Sequence, residues 1–541
     1  MLLSLSSSTH YRPARRARAW AALAFVALFT LGGCASAPLP VSQAPSSAIA
    51  ASAATELGSI AAQARARAVG GESGFYPMPQ AAVALDARLA LIRRAQASLD
   101  LQYYQLGNDE TGHLLLRELR DAAARGVRVR LLLDDFYTAG MDDMLLGLAA
   151  HPNVEVRLFN PFGAGRVSRV GRWVNLATDF RRLNHRMHNK LFVADGAFAV
   201  VGGRNMADGY FLRDAAANFI DLDVLATGAI VPELSAIFDT YWNSPQVVAI
   251  QAVAPPDGAA DALRKRFDAQ VRQGIKPPPP APPADAYGVP PLGPELDAGL
   301  PHLLWAPASA FADAPDKVSH GWKGADLSHT VIVRNLEAFR TARSEVLMFS
   351  PYFVPGSLGL KRMEEAREHG IALRVVTNSM AATDEPLASL AYERYRVPML
   401  KLGVELYELS SAQLHRDPLV RAGFGKSRAQ LHVKLGVIDR ETVILGSMNL
   451  DQRSATTNTE LSVTIRSREL TQLILKWFNL LNPEDARGIY RVQLAPDGRG
   501  LHWTALLGPR RAEQVEGEPE VDHLLRFKLF LMSLFVSEDL L

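Results

Sequence analysis

Cysteine is almost absent from this chain, because Cys34 is the only one in 541 residues. A single cysteine excludes an intrachain disulfide, so the fold must be stabilised by packed cores. Long apolar runs are also scarce: mean hydropathy is +0.01 and aromatic residues make up 8%. These values exclude a polytopic membrane protein and a disordered chain. The length predicts two or more domain-sized units.

An excess of charge of one sign is missing too. The formal net charge is +2, and residues 1–33 contain four arginines and no acidic residue, so the remainder carries −2. A protein that binds long nucleic acid normally presents a large basic surface to the phosphates. We therefore expect no nucleic-acid partner, although net charge leaves a local basic patch open.

Residues 1–33 are typical of a signal peptide. Four arginines precede an apolar run at 19–31: Arg12, Arg15, Arg16 and Arg18. The run is shorter than the roughly 20 residues of a spanning helix. It ends in Leu-Gly-Gly-Cys34, which resembles a bacterial lipobox; the alternative is a small buried thiol without a role.

The lipobox resemblance implies acyl chains on Cys34, and two or more such chains hold a protein stably on a bilayer. Ala35 follows where an aspartate would indicate retention in the inner membrane. We expect a lipid-anchored protein of the bacterial cell envelope, at the outer membrane and facing the periplasm. Residues 34–70 are rich in Ala and Ser, which predicts a flexible tether.

Two stretches share one order of elements, strand, helix, glycine and strand. The first comprises 98–104, 114–125 and 127–134, and the second 345–353, 360–368 and 371–377. This order predicts a right-handed parallel crossover in each half, and its repetition predicts an internal duplication. We therefore expect an α/β fold of two half-domains, each a mixed sheet flanked by helices.

The domain boundaries follow from composition. Residues 276–283 are proline-rich and predict an exposed polyproline-like connection. The predicted division is a signal peptide at 1–33, a tether at 34–70, half-domains at 71–255 and 301–490, a linker at 256–300 and an extension at 491–541. Residues 524–536 are strongly apolar, which predicts a helix that either packs across the two halves or lies at a membrane interface.

One motif occurs in both halves with identical spacing. HxKxxxxD spans 188–195 and is followed by Gly-Gly-Arg-Asn at 202–205; the second copy spans 432–439 and is followed by Gly-Ser-Met-Asn at 446–449. Two copies at equivalent positions of a duplication are a strong signal. The candidate catalytic residues are His188, Lys190, Asp195, His432, Lys434 and Asp439.

Strand geometry divides the residues of this motif. A histidine and a lysine two residues apart project from the same face of a strand, so each copy places an imidazole beside an ammonium. Asp195 and Asp439 have the opposite parity. Besides catalysis, they are candidates for the hairpin turn, because Asp195-Gly196 is a favourable turn pair.

The paired motif resembles the phospholipase D superfamily over most of residues 70–490. The resemblance implies no metal or other cofactor and a site at the pseudo-two-fold axis between the halves. One histidine attacks phosphorus to form a phosphohistidine, and the other protonates the leaving alcohol. It favours His188 as nucleophile and His432 as general acid, with the reverse left open. The two imidazoles then need different protonation states, so we expect their neighbours to separate their pKa values.

Residues near the motifs are candidates for binding phosphate and for orienting the histidines. An anionic phosphodiester needs positive charge and donors; the candidates beside the lysines are Gly203, Asn205, Ser447 and Asn449. In the superfamily an acidic residue hydrogen-bonds each imidazole, and Asp221 and Glu460 match that position. Asp223 is a rival to Asp221, and solvent-facing acids are the alternative. A zinc site at His185 and His188 lacks further ligands.

Three segments resemble bacterial cardiolipin synthases, especially the C-type branch: 350–356, 377–379 and 449–454. The resemblance implies transfer of a phosphatidyl group that makes cardiolipin from phosphatidylglycerol and a second phospholipid, phosphatidylethanolamine in that branch. The inner-membrane synthases carry two N-terminal spanning helices, which a lipobox replaces here. The alternatives are a hydrolytic phospholipase D, a nuclease and a non-catalytic lipid-binding scaffold; a small helper protein is left open.

Overall fold

The computed structural model describes residues 43–533 with internal gaps at 67, 69–71, 164, 273–275, 279, 286–287, 300, 320–327, 417–423, 479–485 and 509–510. The predicted signal peptide and Cys34 lie outside the described residues. None of the helices in the described part of the chain is long and apolar enough to cross a membrane.

The first half contains a nine-stranded sheet and a separate short strand. Its strands are β1 (Ser73–Met78), β2 (Ser98–Tyr103), β3 (Arg128–Asp134), β4 (Val154–Phe159), β5 (Leu191–Ala194), β6 (Phe198–Gly202), β7 (Ala217–Ile220), β8 (Asp223–Gly228), β9 (Val247–Ala249) and β10 (Leu304–Ala306). Its helices are α1 (Glu56–Arg65), α2 (Ala81–Arg94), α3 (Glu110–Ala124), α4 (Asp142–Ala149), α5 (Arg169–Thr178), α6 (Phe180–Leu183), α7 (Ile230–Trp242), α8 (Ile250–Val253), α9 (Ala260–Arg272) and α10 (Leu292–Asp297).

The second half repeats this plan with a ten-stranded sheet. Its strands are β11 (Ala308–Ala312), β12 (Glu345–Phe349), β13 (Ala372–Asn378), β14 (Glu405–Leu409), β15 (Arg428–Leu431), β16 (Leu435–Ile438), β17 (Thr442–Gly446), β18 (Leu461–Arg466), β19 (Arg487–Leu494), β20 (Leu501–Leu507) and β21 (Ala512–Val515). Its helices are α11 (Val331–Phe339), α12 (Gly356–Glu368), α13 (Pro386–Lys401), α14 (Ser411–Leu414), α15 (Gln452–Thr456), α16 (Arg468–Trp477) and α17 (His523–Ser533).

The two sheets share one topology. The first has the order β10-β1-β8-β6-β5-β2-β3-β4-β9, and the second β11-β18-β17-β16-β12-β13-β14-β19-β20-β21. Strands β2, β3 and β4 are parallel, as are β12, β13 and β14, whereas β5 and β16 pair antiparallel to β2 and β12. The predicted α/β duplication with mixed sheets is confirmed.

Alternating side chains divide the cores. In β5, Leu191 and Val193 enter a core shared with the second sheet, whereas Phe192 and Ala194 enter the core under the helices of the first half. In β12, Leu347 and Phe349 face the shared core, because successive side chains of a strand point to opposite faces. The two sheets therefore pack face to face, which brings their equivalent strand ends together.

A two-stranded parallel sheet also joins the halves. β7 of the first half pairs with β15 of the second, from Ala217 opposite Arg428 to Ile220 opposite Leu431. An isolated bridge joins Met187 to Thr459 in the same parallel sense. These two contacts connect the residue before each motif histidine to the other half.

The predicted boundaries need three corrections. Residues 56–65 form α1 within the predicted tether, and Leu57 and Ile60 lie in the core of the first half. The predicted linker contains α9 and α10, and the chain passes between the sheets at Pro307. Strands β19 to β21 extend the second sheet to Val515, beyond the predicted boundary at 490.

The apolar C-terminal segment forms α17, which contacts α13 of the same half. Leu529 is buried, and Leu524, Phe527 and Leu531 are exposed. This contact differs from the predicted packing across the two halves, and the predicted membrane interface stays a prediction. The described residues of 276–283 form neither helix nor strand.

Candidate active site

The two motif histidines occupy equivalent positions. His188 comes three residues before β5 and His432 three residues before β16. The Asp134 carboxylate, at the end of β3, accepts a hydrogen bond from Met187 N at 2.8 Å. At the corresponding end of β13, the Asn378 Oδ1 atom accepts one from Leu431 N, also at 2.8 Å. A side chain at the equivalent strand end, of β3 in the first half and of β13 in the second, thus accepts a hydrogen bond from the residue before each histidine.

Each histidine is paired with an acidic residue from the opposite half. The His188 Nδ1 atom lies 3.0 Å from a Glu460 carboxylate oxygen. The His432 Nδ1 atom lies 2.6 Å from the Asp221 carboxylate. Both acids are fully buried and both histidines nearly so, with exposed fractions of 7% for His188 and 4% for His432. The site therefore exists only when the two halves are together.

The backbone produces this crossed pairing. His188 N donates to the Thr459 carbonyl at 2.9 Å, and His432 N donates to the Ile220 carbonyl at 2.8 Å. Thr459 and Ile220 immediately precede the two acids. The parallel contacts between the halves therefore set both the histidine backbone and the carboxylate that its ring meets.

The small residues of the motifs contact these acids. A Cβ atom at Gly203 would overlap the Asp221 carboxylate, so glycine permits this acid's close approach. The Ser447 hydroxyl donates to Glu460 and accepts from Leu461 N at 2.9 Å. Gly203 and Ser447 therefore help to place the acids, and their predicted role in binding phosphate stays a prediction.

The two lysines lie beside the histidines. Lys190 Nζ donates to the His188 carbonyl at 2.6 Å, and Lys434 Nζ donates to the His432 carbonyl at 2.7 Å. Lys434 Nζ also lies 3.1 Å from both ring nitrogens of His432. Burial lowers the pKa of Lys434 to about 8 and that of Lys190 well below its usual value. A nearby anion such as a phosphate would stabilise the charged form of both lysines.

The two motif asparagines differ in their partners. Asn205 Nδ2 donates to the Tyr210 hydroxyl at 2.9 Å, and Asn205 Oδ1 accepts from Gln105 N at 3.2 Å. The Asn449 Oδ1 atom is buried without a hydrogen-bond partner among the described residues. Asn449 is therefore the less constrained of the two amides.

Burial dominates the electrostatics of the site. Desolvation and the two lysines lower the pKa of His188 and of His432 well below the usual range. Burial also raises the pKa of Glu460 to about 7 and that of Asp221 above its usual value. Both histidine pKa values are therefore shifted in the same direction, and this direction alone does not distinguish the nucleophile from the acid. An anionic phosphate would favour protonation of an adjacent imidazole.

Aromatic rings that the sequence did not single out as site residues cover both imidazoles. Tyr104 contacts His188 edge-on with ring centroids 5.0 Å apart, and Tyr210 contacts His432 in the same way at 5.0 Å. The Phe219 ring lies 4.9 Å from His432. Tyr104 directly follows β2, which was a usable signal. Tyr210 and Phe219 lie in the insertion after Asn205, where spacing carries no information.

The motif aspartates lie away from the site. The Asp195 carboxylate accepts from Ala97 N at 2.8 Å and Ser98 N at 2.9 Å, and Asp439 accepts from Arg343 N and Ser344 N, both at 2.8 Å. Each lies at the far end of the strand that follows its histidine, Asp195 after β5 and Asp439 after β16. Both have φ near +50° at the hairpin turn. The predicted catalytic role of Asp195 and Asp439 is thus corrected to a structural one.

The remaining candidates also have other partners. Asp223, the rival to Asp221, forms a buried ion pair with Arg88 at 2.9 Å. His185 is mostly buried, and its carbonyl accepts from Asn160 Nδ2 at 2.7 Å. No cluster of three or more potential metal ligands occurs among the described residues.

Both halves match one family model, described as the phospholipase D-like domain of cardiolipin synthase, at residues 89–242 and 336–481. The chain belongs to this family. The resemblance to the phospholipase D superfamily is thereby confirmed, and the chain is a phospholipase D-type phosphatidyltransferase.

Two relatives span most of the chain. Cardiolipin synthase C of Escherichia coli K12 is 38% identical over 416 residues, which are 75% of this chain and 84% of that protein. An uncharacterised protein of Helicobacter pylori (strain ATCC 700392 / 26695) is 32% identical over 403 residues, 70% of this chain and 73% of that protein.

Among solved structures, phosphatidylserine synthase of Haemophilus influenzae Rd KW20 has the same fold. The TM-score is 0.53 at 13% sequence identity, covering 89% of this chain and 97% of that one. At this identity the likeness concerns the fold alone.

Proposed function

We propose that the protein makes cardiolipin by transferring a phosphatidyl group to phosphatidylglycerol from a second phospholipid, with phosphatidylethanolamine as the candidate donor. The observation that carries the proposal is the crossed pair of imidazoles, each hydrogen-bonded to a buried acid with a lysine alongside. The Escherichia coli relative bears the name cardiolipin synthase C, which supports the same lipid chemistry.

In the proposed first step, His188 is the nucleophile. Its Nδ1 atom faces Glu460, which leaves Nε2 as the reacting nitrogen. Burial keeps this imidazole neutral by lowering its pKa, so the Nε2 lone pair is available for phosphorus. A nitrogen–phosphorus bond forms while the phosphorus–oxygen bond to the leaving alcohol breaks.

His432 is the general acid of this step. Asp221 at 2.6 Å, together with the substrate phosphate, favours the imidazolium against the nearby Lys434 ammonium. The imidazolium proton passes to the leaving oxygen. In the second step a phosphatidylglycerol hydroxyl gives its proton to His432, its oxygen bonds to phosphorus, and the bond to His188 breaks.

Positive charge and donors surround the position of the phosphate. Lys190 and Lys434 lie beside the two imidazoles, and the Asn205 amide donates to Tyr210, whose hydroxyl lies 3.5 Å from His432 Nε2. Asn449 has the equivalent position in the second motif, three residues after β17. Preorganised charge of this kind stabilises the developing negative charge on phosphoryl oxygens. The burial of both histidines limits access of water to the intermediate, which favours a lipid alcohol as the acceptor.

Product analysis tests this proposal. The purified protein is given phosphatidylglycerol alone, phosphatidylethanolamine alone, or both in mixed micelles, and the lipids are separated by mass. We expect cardiolipin only where phosphatidylglycerol is present, with ethanolamine released when it is the donor's headgroup. Phosphatidic acid without cardiolipin would contradict transfer and identify a hydrolase. His188→Ala is the matched inactive control.

We further propose that Cys34 carries the lipid anchor and that the protein lies at the outer membrane facing the periplasm. The support is the lipobox-like sequence with Ala35 after the cysteine. Metabolic labelling with a palmitate analogue tests it: label is expected on the wild-type protein and absent from Cys34→Ser. Equal labelling of both proteins contradicts the proposal.

A further inference from the structure

The outer faces of the two sheets are covered very differently. In the first half, ten of the 14 residues of α2 and nine of the 15 residues of α3 are buried. The corresponding helices of the second half are α11 and α12, with two of nine and one of 13 residues buried. The same pair of helices thus seals one sheet and covers the other only loosely.

The loose covering leaves an apolar groove of about 420 Å³ between α11, α12 and the sheet. Its main apolar lining residues are Ile332, Leu336, Phe339, Met348, Leu358 and Met363. A volume of this size lies within the range of sites for small apolar ligands. The apolar lining of the groove therefore lacks a packing partner among the described residues.

The outward faces of both helices show that the missing partner belongs inside the groove. Their outer side chains are charged and exposed: Arg334 and Glu337 on α11, and Lys361, Glu364, Arg367 and Glu368 on α12. A protein or membrane that covered these helices from outside would meet this charged surface. The unfilled apolar surface lies beneath them, which fits a narrow apolar chain.

The groove is elongated and begins next to the catalytic residues. At one end it is lined by Leu450, which directly follows Asn449, and by Phe353; the backbones of these two lining residues form a bridge. At the other end it reaches His369, beyond the last residue of α12. The 13 residues of α12 span about 20 Å at 1.5 Å per residue. Since a hydrocarbon core is about 30 Å thick, one leaflet's acyl chains span about 15 Å.

We propose that this groove holds one acyl chain of a phospholipid substrate whose phosphate lies at His188 and His432. The assignment of the occupant as a phospholipid acyl chain rests on the proposed function, whereas the existence of the groove does not. The continuity of Asn449 with Leu450 lets the headgroup and the chain occupy adjoining sites. In the first half the largely buried helices α2 and α3 cover the corresponding face of the sheet, so we expect the chain in the second half only.

Groove-filling variants test the proposal by direct binding. The full protein is titrated with cis-parinaric acid, a fluorescent fatty acid, as wild type, Leu336→Trp and Ala366→Phe. Glu337→Trp is the control, because it adds the same ring to the outer face of α11. We expect saturable binding to wild type and control, weakened about tenfold in both groove variants. Equal binding by all four proteins, or none by wild type, overturns the proposal.

Chain length separates this inference from the proposed function. Leu336→Trp should lower kcat/KM about tenfold for dioleoyl phosphatidylglycerol and leave dihexanoyl phosphatidylglycerol nearly unchanged, since the short chain barely enters the groove. An equal loss on both lipids contradicts the groove's role. Groove-dependent fatty-acid binding without any transferase product would overturn the proposed function and leave the groove as an acyl-chain site.

Discussion

The two half-sites have the same backbone and different polar partners. In the half-site of His188, Ser447 donates to Glu460, and Asp134 holds the preceding backbone while paired with Arg186 at 2.7 Å. In the half-site of His432, Gly203 admits Asp221 closely, and an uncharged Asn378 replaces the ion pair. The duplication therefore keeps the placement of the imidazoles and changes the groups that set their protonation.

In the proposed mechanism, the roles of nucleophile and general acid therefore depend on the acidic residue that each histidine meets from the other half. Burial raises the pKa of both acids, that of Glu460 to about 7, and Asp221 lies closer to its imidazole, at 2.6 Å compared with 3.0 Å. An ionised carboxylate close to an imidazole favours its protonated form. The pair at His432 is thus better suited to hold a proton for the leaving alcohol.

The largest expected effect that tests the difference between the two half-sites is the loss of activity on removing each histidine. His188→Ala should lose at least about 10⁴-fold in kcat/KM on every phosphodiester, because no nucleophile remains. His432→Ala should lose about 10²-fold to 10⁴-fold on phospholipid but recover most of its activity on a p-nitrophenyl phosphodiester, whose leaving group needs no proton. The reverse pattern of recovery exchanges the two roles.

Changing the small residues sharpens the comparison. Gly203→Ala should lower kcat about 10²-fold, because its Cβ atom displaces Asp221 from His432. Ser447→Ala removes one hydrogen bond to Glu460 and should cost about tenfold. Steady-state kinetics with far-ultraviolet circular dichroism as a folding control checks both. A larger loss for Ser447→Ala contradicts the assigned contacts.

The turn aspartates should affect stability and leave the chemistry intact. Asp195→Asn is expected to cost about 2 kcal/mol, since a buried carboxylate accepts several backbone N–H groups, and Asp439→Asn about 1 kcal/mol at its half-buried turn. Urea unfolding measures the loss. A selective loss of kcat in a fully folded variant would return these residues to catalysis.

The stabilisation of the fold by Asp439 should also depend on pH. Its backbone and side-chain hydrogen bonds lower its pKa from 3.8 to about 2. Because the folded-state pKa is depressed, the stabilisation is present above about pH 4 and is lost as pH falls through 2. The stability difference between wild type and Asp439→Asn should therefore shrink between pH 5 and pH 2, and a constant difference contradicts this origin.

The smallest expected effect concerns a position where the halves differ. Asp451 lies two residues after Asn449, where the first half has Ala207, and burial raises its pKa to about 7. A raised carboxyl pKa means that stability falls as pH rises from about 4 to 7. Asp451→Asn, which keeps the helix cap, should be more stable than wild type at pH 8 and equally stable at pH 4. No difference at pH 8 contradicts the raised pKa.

Repetition in the sequence predicted the parts of the fold that depend on local pattern. Equal spacing around His188 and His432 located the catalytic strands, and alignment of the halves located Asp221 and Glu460. The crossing of these acids to the opposite histidine depends on the β7–β15 pairing, which no local pattern contains. Composition also failed for residues 56–65, where small residues pack as a helix instead of a tether.

Side-chain competition explains the remaining differences at the site. Gly203 and Ser447 have the size and donors expected of a phosphate site. In the structure Gly203 leaves room for the Asp221 carboxylate, and the Ser447 hydroxyl donates to Glu460. Tyr210 covers the His432 imidazole from a segment whose spacing is not repeated. Such contacts arise from tertiary packing, so they become visible only in the structure.

Mapping the covalent intermediate tests the central claim most directly. The protein is mixed with a slowly turned-over phosphodiester, quenched under conditions that preserve phosphohistidine, and digested for mass spectrometry. The crossed half-sites predict the phosphoryl group on His188 and none on His432. His432→Ala should accumulate the same adduct when the leaving group is p-nitrophenol. An adduct found only on His432 contradicts the account.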